Sequence, residues 1–155
     1  MNIFEEFPRI LGEIEEKDLK YALVGGVAMA FHDTPRFTKD IDILLFPEDM
    51  EKLKKLLSKE GYVESTTPWT FKKVDMTLHR FIKIEEKEHL QLDVLTANEK
   101  RSRRIIKNAL EARSEQGIIR VAKKEDLIWM KLQRNSDQDK VDIKKLKGTK
   151  NEQNR

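Results

Sequence analysis

Cysteine is absent from this chain of 155 residues. That excludes a disulfide framework, thiolate chemistry and a cysteine-based zinc site. Long apolar runs are missing too, so no segment is suited to cross a membrane. The N-terminus carries Glu5 and Glu6 and lacks the apolar stretch of a signal peptide, which makes the cytoplasm the expected location. An excess of one charge sign is also lacking. Charged residues make up 38% of the chain, yet the net charge is only +3, unlike the strong basic excess of a dedicated nucleic-acid module. Internal repeats and low-complexity tracts are absent. A chain of this length can bury a real core in one domain. Residues 1–147 are expected to form it, with 148–155 a flexible polar tail.

What is present centres on Val24-Gly25-Gly26-Val27, followed by Arg36-Phe37-Thr38-Lys39-Asp40-Ile41-Asp42-Ile43-Leu44. The pattern reads as strand, glycine turn, short helix, loop and second strand. Asp40 and Asp42 are two apart, and strand side chains alternate faces, so both point one way, roughly 6–7 Å apart at Cα. Ile41, Ile43 and Leu45 point the other way, towards a core. Like charges on a largely apolar strand repel and are costly to desolvate; a divalent cation, for which hard oxygen ligands suit magnesium, is the common remedy. The glycine pair lets backbone N–H groups approach an anion where a helix begins. A phosphate seat beside a metal seat is the resulting expectation.

Along the chain, Phe4, Phe7, Leu11 and Ile14 recur at helical spacing over 2–17, with Pro8 marking where that helix starts. Lys20–Val24 reads as a strand, Val27–Phe31 as a helix, Asp40–Phe46 as the second strand and Glu48–Lys59 as a helix stopped by Gly61. Tyr62–Glu64, Trp69–Val74 and Leu78–Ile84 read as β segments, with a polar turn over Glu85–Glu88. Leu90–Leu95 alternates again, so Asp93 is a third carboxylate in mid-strand. Asn98 is the expected N-cap of a helix with Ile105, Ile106, Ala109 and Leu110 on its buried side. A short strand over Ile118–Val121 precedes helices over Lys124–Arg134 and Asp137–Lys147. Leu127, Ile128, Trp129 and Leu132 are core candidates in the first of these.

The combination of Gly25-Gly26, the Asp40-Ile-Asp42 strand and the later Asp93 strand resembles the nucleotidyltransferase superfamily that includes DNA polymerase beta. The resemblance is closest over residues 20–95. It implies an α/β (α+β) fold, a mixed sheet flanked by helices. It also implies two Mg²⁺ ions, with Mn²⁺ as the alternative, held by Asp40, Asp42 and Asp93. The implied reaction moves a nucleoside monophosphate from an NTP, ATP among them, to an acceptor with release of pyrophosphate. Many members have Gly-Ser in the turn; Gly-Gly removes a hydroxyl that would touch phosphate. Gly25 and Gly26 are then the triphosphate seat, with Arg36 and Thr38 within reach of a phosphate.

A second match lies in Lys131-Leu-Gln-Arg134 and Asp139-Lys-Val-Asp142-Ile143. It resembles elements of abortive-infection nucleotidyltransferases, although the Lys–Arg spacing differs. Lys131, Asp139 and Asp142 fall beside the buried faces of their helices, where charges are unusual unless paired or lining a cleft. Two readings stand level: Lys131 on NTP phosphate with Asp139 or Asp142 as orienting group or base, or Lys–Asp and Arg–Asp bridges tying the last two helices. The basic cluster Lys100–Lys107 is a candidate RNA contact, set against a solvated helix face. The acceptor stays open between RNA (tRNA included), protein and a small molecule, and a dimer mate or partner protein is allowed for. The rival reading is a toxin–antitoxin or partner-binding module that keeps the fold without strong catalysis.

Overall fold

The computed structural model describes residues 3–32, 40–71, 73–114 and 117–148. Among these are six α-helices and eight strands in one mixed sheet. Helix α1 is Ile3–Glu16, β1 Tyr21–Val24, α2 Gly25–Phe31 and β2 Asp40–Leu45. A single 3₁₀ turn, Pro47–Asp49, leads into α3, Met50–Lys59. The strands β3 Val63–Glu64, β4 Trp69–Phe71, β5 Met76–Glu85 and β6 Glu88–Ala97 follow, then α4 Lys100–Lys107. The remainder is β7 Leu110–Ser114, β8 Gly117–Val121, α5 Lys124–Arg134 and α6 Asp137–Lys147.

The sheet runs β3-β5-β6-β2-β1-β8-β7, with β4 pairing to β5. Three pairings place the site. β1 lies antiparallel to β2, with Val24 opposite Asp42. β2 lies parallel to β6, with Asp42 opposite Asp93. β5 and β6 form a long antiparallel hairpin, with Arg80 opposite Asp93. All four residues of β1 are buried, and Ile41 and Ile43 of β2 are buried between the half-buried Asp40 and Asp42. The strand's alternation is therefore what sends the aspartates to one face while the isoleucines enter the core. The hairpin closes at Glu86-Lys87, with Glu86 at φ 53°, within the polar turn expected there.

Four expectations need correction. Helix α1 begins at Ile3 and runs through Pro8. The ring removes one helix N–H, and the fully buried Ile10, Leu11 and Ile14 outweigh that loss. Glu99, not Asn98, is the N-cap of α4; the Asn98 amide instead donates to Asp75 Oδ1 at 3.1 Å. Leu110 leaves the helix and opens β7, whose side chains alternate between half-buried and exposed from Leu110 to Arg113. Leu132 is 52% exposed, because the inward edge of α5 is carried by Leu127 and Lys131, one turn apart. The expected tail lies almost wholly outside the described residues. Among those residues, no helix is long and apolar enough to cross a membrane.

Candidate active site

The strand β1 ends at Val24, and the chain turns at once into α2. Gly25 takes φ +73° there, and a Cβ on it would lie 2.9 Å from Asp42 Cγ and overlap the carboxylate itself. Glycine is required for two reasons: the left-handed backbone and the room for Asp42. The turn and the carboxylate are thus one packed unit. Asp42 and Asp93 sit side by side on neighbouring strands, with Asp40 one pleat before Asp42. Three carboxylates that are separated in sequence share one face of the sheet.

A cleft of about 440 Å³ opens over that face. One end is polar, lined by Gly25, Gly26, Asp42 and Asp93 from the sheet and by Lys131 and Arg134 from α5. Beyond Arg80 and Asp93 along β5 and β6 the lining turns mostly apolar, with Trp69, Phe71, Met76, Leu78, Leu95 and Met130, and with Lys73 also at its edge; this is the apolar end. Trp69, at the start of β4, stands in the wall of this cleft. Arg36 and Thr38 fall outside the described residues.

The third carboxylate is engaged. Arg80 donates from Nε to Asp93 Oδ1 at 2.9 Å and from Nη2 to Oδ2 at 3.1 Å. Gln91 adds longer contacts to the same carboxylate. The Arg80 guanidinium stands 5.5 Å from the centroid of the Trp69 ring, a cation–π distance. Its pKa is raised, first by the hydrogen bonds to Asp93, and the charges of Asp40 and Asp42 act in the same direction. Arg80 is therefore a cation within the field of all three acids. Sequence reasoning missed it, yet the signal was available: a two-residue turn at Glu86-Lys87 places Arg80 across from Asp93.

The helical wall is cross-linked between α5 and α6. Lys131, buried at 5% exposure, donates from Nζ to Asp142 Oδ2 at 3.1 Å. Gln138 Nε2 donates to the other Asp142 oxygen at 2.8 Å. Arg134 donates to both Asp139 oxygens at 2.8 and 2.6 Å. Ser136 caps α6: its backbone N–H and hydroxyl donate to Asp139 Oδ2, and its Oγ accepts from the Asp139 N–H. Burial pushes the Asp139 carboxyl up, but the bonds from Arg134 and Ser136 outweigh it and hold the pKa down at about 2. The bridges of the second reading are present, and Lys131 and Arg134 also border the cleft.

Part of the basic cluster is committed elsewhere. Arg101 pairs with Asp126 at 2.9 Å and stacks on Trp129. Arg103 makes two bonds to Glu48 and stacks on Phe46. Lys100, Arg104 and Lys107 are exposed.

Among the described residues, no three acidic or imidazole side chains stand together as a ready-made metal cage. The donor chemistry nonetheless suits a hard divalent cation, since Asp40 and Asp42 are carboxylates on one strand face. The Asp93 carboxylate beside them is bonded to Arg80.

A glycine turn packed on one aspartate, a second aspartate abreast of it and a facing cationic helix define a nucleotide-handling α/β fold of nucleotidyltransferase type. The chain belongs to the nucleotidyl transferase AbiEii toxin family of type IV toxin–antitoxin systems, whose model matches residues 9–145. No curated protein matches it. Among solved structures, it is similar to the lincosamide antibiotic adenylyltransferase LnuA with lincomycin bound, at 17% identity and TM-score 0.59 over 93% of this chain and 96% of that one. It is also similar to a putative nucleotidyltransferase from Thermotoga maritima, at 15% identity and TM-score 0.59 over 88% and 91%. A third likeness, to the antibiotic-resistance factor ANT(2'')-Ia, has 13% identity and TM-score 0.56 over 93% and 81%. At these identities the three likenesses bear on the fold alone.

Proposed function

We propose that the chain transfers a nucleoside monophosphate from an NTP to an acceptor hydroxyl in the cleft, with a divalent cation, Mg²⁺ or Mn²⁺, held by Asp40 and Asp42. The observation that carries this is the packing of Gly25 against Asp42, with Asp93 alongside on β6. The cation would supply neutralisation of the triphosphate charge and a lowered pKa for a bound oxygen. Gly25 and Gly26 floor the polar end, so backbone can lie close to phosphate. Lys131 and Arg134 face that floor and supply fixed positive charge to the leaving pyrophosphate. Asp139 and Asp142 act on those cations, holding them in place; a carboxyl kept at about 2 is a poor base. In the transfer, the acceptor oxygen bonds to the α-phosphorus and the bond to the bridging oxygen breaks. Asp93 takes the acceptor proton once Arg80 has released it.

The apolar end suits an acceptor with apolar or ring surface. The fold neighbours named for lincomycin and adenylyl-tobramycin make a small-molecule acceptor the first class to try, with tRNA and protein tested alongside. Purified protein would be incubated with each labelled NTP, Mg²⁺ and fractions of cell extract. Label should enter one fraction with the native chain and none with Asp40→Ala or Asp42→Ala. Equal labelling by all three proteins would sink the proposal. A second reading follows from the closed Arg80–Asp93 pair: a toxin–antitoxin module with little transfer, bound by a cognate antitoxin in the cytoplasm. No label in any fraction, together with capture of a partner encoded beside it, would favour that one.

A further inference from the structure

Arg80 has no role in the scheme above except to be in the way. Its Nε and Nη2 hydrogen bonds both go to Asp93, the third member of the acid set. It also lines the cleft, beside the polar floor and against the ring of Trp69. Asp93 is 7% exposed, and a buried carboxylate without a counter-charge is costly. With no other cation bonded to Asp93 among the described residues, the guanidinium meets that need. A divalent cation at the same face would meet it instead, and cation and guanidinium cannot both be close without mutual repulsion.

We infer that Arg80 is an exchangeable counter-ion: it holds Asp93 while the acid face carries no metal, and gives way to bind pyrophosphate or the NTP phosphates when metal is present. This rests on the metal-dependent reading above. The geometry favours exchange over a fixed tie. The side chain is 32% exposed, so it can turn within the cleft without disturbing the core. The planar fork that fits a carboxylate fits a phosphate equally well. Trp69, 40% exposed, offers a face on which the guanidinium can slide in either position.

The test uses the full chain and Mn²⁺ as probe. Calorimetry would give the Mn²⁺ affinity of the native protein, Arg80→Gln and Arg80→Lys. Removing a unit cation several ångströms from the ligands should tighten Mn²⁺ binding roughly ten- to a hundredfold in Arg80→Gln. Inorganic pyrophosphate, added at saturating Mn²⁺, should bind that variant about tenfold more weakly, since a charge-assisted bidentate contact is lost. Arg80→Lys keeps the charge without the fork and should fall between; it also carries the test if Arg80→Gln does not fold. With Trp129→Phe leaving Trp69 as sole tryptophan, Mn²⁺ should change Trp69 emission in the Arg80 protein and not in Arg80→Gln. A merely structural arginine would not move the two affinities in opposite directions. Unchanged or weakened Mn²⁺ binding in both Arg80 variants overturns the inference alone. Absence of Mn²⁺ binding in every protein overturns the metal-dependent reading with it.

Discussion

The two walls of the cleft handle charge in opposite ways. The sheet wall gathers Asp40, Asp42 and Asp93 on one face and sets Arg80 among them. The helical wall ties its acids to cations: Asp142 to the buried Lys131, and Asp139 to the exposed Arg134. Carboxylates gathered on one strand face suit a cation; a paired network fixes the positions of its members. On the reading proposed above, the first wall exchanges ligands and the second stays still. Changes to the sheet wall should act on binding and transfer, and changes to the helical wall first on stability.

The largest effect should come from Gly25→Ala. Its Cβ would overlap the Asp42 carboxylate, and the backbone would carry a strained left-handed conformation costing about 1–2 kcal/mol. Displacing Asp42 by an ångström should lower transfer at least about a hundredfold. Gly61→Ala is the control. It shares a positive φ, +91°, but its Cβ would meet only Lys83 Cε at 3.7 Å. It should lose stability and keep transfer. Equal loss of transfer in the two variants would remove the special tie between Gly25 and Asp42.

Asp142→Ala breaks the other wall. It leaves the Lys131 ammonium buried with Asp139 4.0 Å away. Stranding a buried charge should cost about 3 kcal/mol, a fall in Tm of roughly 10 °C. Thermal unfolding reads this directly. Loss of metal binding without loss of stability would reverse the assignment of the two walls.

The unequal legibility of the walls has the same origin. Asp40, Asp42 and Asp93 could be read because a strand's period of two is local and needs no neighbour. The pairing of Asp42 with Asp93 could not, since a parallel register is set by packing far away in sequence. Arg80 was legible in principle from the Glu86-Lys87 turn, but only after the hairpin register is counted out. On α5 and α6, helical spacing placed Lys131, Asp139 and Asp142 beside the buried faces. It could not choose between ligand and bridge, because that depends on how the two helices face each other. Leu132 went wrong for a related reason: the buried edge of α5 carries a lysine, so hydrophobicity pointed to the wrong side.

Acid sharpens the contrast further. The Asp139 carboxyl titrates at about 2 in the folded protein against 3.8 for an unperturbed aspartate. A depressed folded value stabilises above the unfolded pKa. The contribution is complete above about pH 4 and is lost as pH falls towards 2. With Arg134 exposed to solvent, it amounts to about 1–2 kcal/mol. Asp139→Asn should be less stable than the native chain at pH 7 and show a shallower decline between pH 4 and 2. Parallel acid limbs would mean that the Arg134–Asp139 bridge contributes little.

The smallest effect is expected outside both walls, on α4. Arg101 and Arg103 are already paired and stacked, so only exposed members of the cluster are available to a partner. Reversing Arg104 and Lys107 to Glu together should leave stability within about 0.5 kcal/mol and transfer to a small-molecule acceptor unchanged. The informative measurement repeats the assay with tRNA across a range of salt. A loss of transfer confined to tRNA, with a flatter dependence on salt, would extend the acceptor site from the cleft onto α4. No difference between acceptors leaves recognition to the apolar end lined by Trp69 and Met130, where the sheet and helical walls meet.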